Sequence, residues 1–177
     1  MTPIIIHQYL HYSQHQQPNE PGVYCPLVWD LREGPAGAAR HVAKLETPLT
    51  PRRLGEPATY PAVTSLQITC NILPEACQVI EVTNSAFVTL LDVMQGIYDA
   101  IHAPLDEAEW DRLPRKQQAK IQEAFEKRCR MALDPAACTT RGRLLIDYLV
   151  NHLLFGGLTV SLEKEYAAIL SLRRPPP

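Results

Sequence analysis

Apolar residues along the chain alternate in two short runs and then recur at helical spacing. Leu66, Ile68 and Cys70 take one side of a strand, with Ser65, Gln67 and Thr69 on the other. In the returning run from Cys77 to Val82, Ile80 and Val82 share a side opposite Val79 and Glu81. Asn71 to Ala76, with Pro74, makes the turn, so the stretch predicts a β-hairpin. Thr89 and Asp92 then stand three apart like a capping box, with Val88 and Val93 as its hydrophobic staple. Leu90, Met94, Ile97 and Ile101 form the apolar stripe of the helix they open, which should stop near Ala103-Pro104. Asp106 and Glu109 repeat the capping signal for a short helix through Trp110. Pro114 suits the first turn of a longer helix reaching about Leu133, whose inward stripe is Ile121, Ala124, Phe125 and Cys129.

The flanks are less regular. Residues 1–22 read as an arm that closes at the breaker cluster Pro18 to Gly22, and its Pro3-Ile4-Ile5-Ile6 stretch is built of strand formers. Such a segment docks on its own sheet or on a neighbouring subunit. Val23 to Leu31 suggests a short strand, and the prolines and glycines from Gly34 to Pro61 exclude a long helix. Leu144 to Val150 fits either a buried strand or the first turns of a helix. Gly156-Gly157 should break what precedes it, Tyr166 to Leu172 reads as a closing strand, and 173–177 as a loose tail. The expectation is one α+β domain over residues 23–172. Its antiparallel sheet would have four to six strands, packed by two or three helices largely on one face.

Composition narrows the classes. With 177 residues the chain has the length of one domain, and 46% hydrophobic against 20% charged residues fits an ordinary globular protein. A formal net charge of -2 supplies no global field to draw in nucleic acid. No apolar run is long enough to span a bilayer, and the start lacks the basic and apolar regions of a secretion signal, so a cytoplasmic location is expected. Five cysteines without CxxC spacing argue against a disulfide framework or a zinc knuckle, and read as buried reduced thiols.

Several residues could carry chemistry. His7, His11 and His15 lie at i, i+4 and i+8, the spacing of a metal-binding helix face, although Pro3 and β-branched residues make the host a poor helix. A polar arm that contains histidine is the competing account, and no cofactor is expected. Cys70 and Cys77 flank the hairpin turn as a candidate redox pair, without a visible cation to favour a thiolate. Cys129 falls on an apolar stripe and reads as inert. Asp99 to Asp111 holds five acids and Arg112 to Arg130 seven bases, so the longer helix is basic. Interleaved stacking aromatics are missing from it, which favours a solvated face over a nucleic-acid surface. Trp29 beside Asp30 could line a pocket, or could be a core indole next to an Asp bonded to a turn. Asp147 and Tyr148 could supply an acid and a donor. No nucleophile elbow and no glycine-rich phosphate loop occurs.

Trp29-Asp30-Leu31, Glu56-Pro57-Ala58-Thr59 with Pro61, the Leu66 to Val82 hairpin and the helix start at Val88 resemble, in that order, an uncharacterised domain widespread in mushroom-forming fungi. Glu109 to Pro114, Phe125 to Cys129, Ile146 to Leu149 and Gly157-Leu158 extend the likeness to about Leu172. The resemblance implies no activity and no site residues. It does favour a strand for Leu144 to Val150. Two functions follow as expectations. The first is a non-catalytic protein-interaction or self-associating domain. The alternative is a small enzyme or small-molecule binder with an apolar pocket between sheet and helices.

Overall fold

Residues 3–13 and 25–175 are described by a computed structural model. His15 and the breaker cluster of the expected arm lie outside these residues. Four two-residue strands occupy the first third: β1 (Ile5–Ile6), β2 (Leu27–Val28), β3 (Arg40–His41) and β4 (Thr59–Tyr60). Single-turn helices α1 (Pro35–Ala38) and α2 (Pro51–Leu54) separate the later ones, each with proline in its first turn. The hairpin follows as β5 (Ser65–Thr69) and β6 (Val79–Thr83), paired Leu66 to Val82 and Ile68 to Ile80, so both buried sets share one face.

Helix α3 (Leu90–Ile101) begins where the sequence requires. The Thr89 hydroxyl accepts from the Asp92 amide at 3.1 Å and the Asp92 carboxylate accepts from the Thr89 amide at 2.9 Å, while Val88 and Val93 are buried. Its stripe lies on β6 at a distance that only glycine permits: a Cβ at Gly96 would stand 2.9 Å from Cγ2 of Val82. Helices α4 (Glu107–Arg112), α5 (Arg115–Met131) and α6 (Pro135–Arg141) come next, the first capped by Asp106 and the last by Asp134.

Leu144 to Val150 is not the strand that the resemblance favoured. It forms one helical turn, α7 (Leu145–Tyr148), because the Asp147 carboxylate accepts from the Leu144 amide at 2.8 Å and caps it. The chain then runs through β7 (Leu154–Val160) and β8 (Ala167–Arg173). Gly156-Gly157 does not break the structure. It sits inside β7 at a register shift, where Gly157 adopts a φ of 114°.

These strands make a sheet of order β6-β5-β8-β7. The single α+β domain is as expected, but the sheet is mixed, since β8 inserts beside β5 in parallel. Its packed face carries Leu66, Ile68, Ile80, Val82, Ala168 and Leu170. The other exposes Val79, Glu81, Thr83 and Ile169.

The amino-terminal segment docks on its own domain. Ile4, Ile6 and Leu10 are buried in the core, β1 pairs with β4, and the Tyr12 amide donates to the Leu158 carbonyl at 2.9 Å. Between them threads the Glu56-Pro57-Ala58-Thr59 crossing. The Ala58 carbonyl accepts from the His7 amide, and its own amide donates to Val88.

Candidate functional site

The layer between sheet and α3 is filled, because Leu66, Ile68, Met94 and Ile97 are fully buried. Open volume lies instead along α5 and α7, in a cleft of about 1290 Å³ closed on its other side by Arg32, Glu33, Ile72, Arg174 and residues 149–153. This exceeds the roughly 300–1,000 Å³ of a site for a drug-sized ligand. A hollow of about 430 Å³ adjoins it and shares Ile72 and His152.

An ion pair anchors the wall. Residue 128 comes one position before Cys129 of the inward stripe of α5, so its side chain runs along the packed edge rather than into solvent. The Arg128 guanidinium donates from Nε and Nη2 to the two oxygens of Asp147, both at 2.8 Å, and from Nη2 to the Gly142 carbonyl at 3.0 Å. Asp147 is 2% exposed at its side chain and Arg128 22%. Hydrogen bonding to Asp147 outweighs burial and holds Arg128 all the more firmly charged. His102 lines the same cleft, stacked on Tyr98 with Nδ1 2.8 Å from that residue's carbonyl. Burial, helped by Arg128 and Arg141, pushes its pKa down against the pull of the Tyr98 carbonyl and Asp147.

The lysines of the α5 wall are open. Lys116, Lys120 and Lys127 project from one face of α5, exposed, and none of them forms an ion pair among the described residues. Spacings of four and seven place them in a row. Glu33 and Glu123 are the carboxylates of the lining besides Asp147. Ile72 and Met131, 43% and 70% exposed, add apolar surface. Val150 on the lining loop holds a φ of 53°, a conformation that β-branched residues avoid and that clusters at functional sites.

Of the residues singled out from the sequence, Asp147 and Tyr148 both line the cleft. Trp29 does not. It is 1% exposed in the core, packed on Phe155 with ring centroids 5.9 Å apart, and its indole donates to the Glu33 carbonyl at 2.9 Å. Asp30 reaches the cleft only through Arg32, which it grips at 2.6 Å while accepting from the Arg32 amide at 3.0 Å. Burial works against the Asp30 carboxylate, but these bonds outweigh it and hold its pKa below the ordinary value. His7 contacts Glu56 at 2.9 Å, and His11 bridges to Leu158. No group of three His, Cys, Asp or Glu side chains converges among the described residues. Cys70 lies opposite Gln78, whose carbonyl accepts from its amide, and Cys77 is in the turn beyond.

Two features of the site escaped the sequence reading. One is the partner of Asp147, 19 residues away on another helix. The other is Cys138 on the cleft wall, whose Sγ lies 2.8 Å from that of Cys129. The only signal for the latter was Asp134-Pro135, which folds α6 back beside α5.

A family model matches residues 27–166, and its description is a family of unknown function (DUF6699). No curated protein and no solved structure matches the chain. β8 and the segment 3–13 complete the domain from outside the matched stretch.

Proposed function

We propose, for a chain that belongs to the DUF6699 family of unknown function, a non-catalytic interaction domain whose cleft takes an acidic segment of a partner protein. The observation that carries this reading is the row Lys116, Lys120 and Lys127, without an ion pair among the described residues and lining the same cleft as exposed Met131 and Ile72. Carboxylates of an incoming chain would meet three ammonium groups while its apolar side chains cover the adjoining surface. Exposed ion pairs contribute only about 0.2–1 kcal/mol each, so the affinity is modest and falls with added salt.

Two aromatic rings near the basic helix favour a protein over a nucleic acid. Arg143 already covers a face of Trp110 at 3.7 Å, and Phe125, with Arg128 5.5 Å from its ring centre, is buried, so neither is a free stacking platform of the kind a base needs. A cytoplasmic setting and kinship with the fungal domain belong to the same proposal.

Fluorescence anisotropy tests it with three labelled probes: an Asp/Glu-rich peptide containing Leu, a Lys-rich peptide of equal length, and single-stranded RNA. The acidic peptide alone should bind, weakly at high salt, and the variant K116E/K120E/K127E should abolish binding. Preference for RNA, or affinity for the acidic peptide that survives the charge reversal, would overturn the assignment. Light scattering run alongside shows whether a second copy supplies the acidic segment, as a dimer that the same variant dissociates.

A further inference from the structure

The pair Cys129 and Cys138 borders the cleft where α6 folds against α5. Cys129 is 6% exposed on the inward stripe of α5, and Cys138 lies on α6 with part of its surface in the cleft. Their sulfurs are 2.8 Å apart as free thiols, in direct contact though still longer than the roughly 2.05 Å of a disulfide bond. The Arg128 guanidinium donates from Nη1 to Cys138 Sγ at 3.0 Å, and Asp147 and Gly142 fix it there. A half-exposed thiol, a cation against it and a buried second thiol in contact are the parts of an exchange site: an attacking group, the charge that favours its thiolate, and a resolving group.

We infer that Cys129 and Cys138 form a reversible dithiol–disulfide site whose co-reactant is a low-molecular-weight disulfide of the glutathione class. Cys138 loses its proton to solvent, and its thiolate attacks one sulfur of the external disulfide. That S–S bond breaks, a mixed disulfide forms on Cys138, and the first small thiolate leaves. Cys129 then gives up its proton and attacks Cys138 Sγ. The Cys129–Cys138 bond forms and the second small thiolate departs, so the protein has lost two electrons and the external disulfide has gained them. Burial, the neighbouring Cys129 and the Asp147 carboxylate push the Cys138 thiol up, with burial the largest effect; Arg128 pulls it down and only partly offsets them, so the thiol stays above its ordinary pKa. Exchange therefore quickens as pH rises. The new bond ties α5 to α6.

The test treats the full, reduced chain with oxidised glutathione and maps the products by mass spectrometry. The wild type should become lighter by two hydrogen atoms, carry a peptide crosslinked between Cys129 and Cys138, melt at a higher temperature, and revert on adding dithiothreitol. Cys129→Ser should instead accumulate a glutathione adduct on Cys138, whereas Cys138→Ser should leave Cys129 unmodified. Five intact thiols in the treated wild type, or a crosslink joining Cys70 to Cys77, would overturn the inference without needing either variant to fold.

Discussion

Asp147 satisfies three donors from a nearly dry position, two from Arg128 and one from the Leu144 amide. Removing its carboxylate strands a guanidinium on the cleft wall and uncaps α7 at once. Asp147→Ala should therefore lower stability by about 3 kcal/mol in urea denaturation, and a loss below about 1 kcal/mol would show that the pair is merely incidental. Thr89→Ala removes one half of a capping box and should cost about 1 kcal/mol by the same measurement. These residues also show what a sequence can disclose. Thr89 and Asp92 were legible because a cap is local, fixed by a spacing of three. The partner of Asp147 was not, since periodicity says which face of α5 turns inward but not which residue of another helix meets its edge. Cys129 was legible as an inward residue for the same reason that its contact with Cys138 stayed hidden.

At the scale of elements, β7 does more than its edge position suggests. A Cβ on Gly157 would lie 2.8 Å from the backbone of Tyr12, and its φ of 114° is one that L side chains rarely adopt. Gly157→Ala should thus lower stability by about 1–2 kcal/mol. It should also speed hydrogen exchange of the Tyr12 and Leu158 amides, which carry the docking of the amino-terminal segment. Unchanged exchange at both amides would mean that this pairing does not depend on the close fit at Gly157. Hairpin, α3 and α5 followed from alternation, capping and stripe, all short-range signals. The insertion of β8 beside β5 did not, because a parallel pairing of residues 100 positions apart leaves no mark in either strand. Gly157 looked like part of a breaker for a related reason: the close approach of Tyr12 that requires it comes from the far end of the chain.

For the whole molecule, the shifted histidine and the two shifted aspartates act in one direction on the acid side. His102 is held below its ordinary pKa, so the unfolded chain binds its proton more readily, and stability declines as pH falls from about 6.5. Asp30 and Asp92 are also depressed. Burial opposes the Asp92 charge, but the Thr89 amide, the Asn84 side chain and the Thr89 hydroxyl outweigh it. Their stabilisation is present above the unfolded value of about 3.9 and disappears as pH falls through the lower folded values. Melting temperature should accordingly step down twice, and His102→Gln should flatten the first step; a first step that persists in that variant would assign it elsewhere. The binding account rests on where an acidic chain lands, and a two-dimensional amide NMR titration of the full chain with the Leu-containing Asp/Glu-rich peptide reads that directly. Shifts should concentrate at Lys116, Lys120, Lys127, Met131, Ile72 and Val150. Shifts confined to the open sheet face at Val79 and Ile169, or none at all, would contradict it.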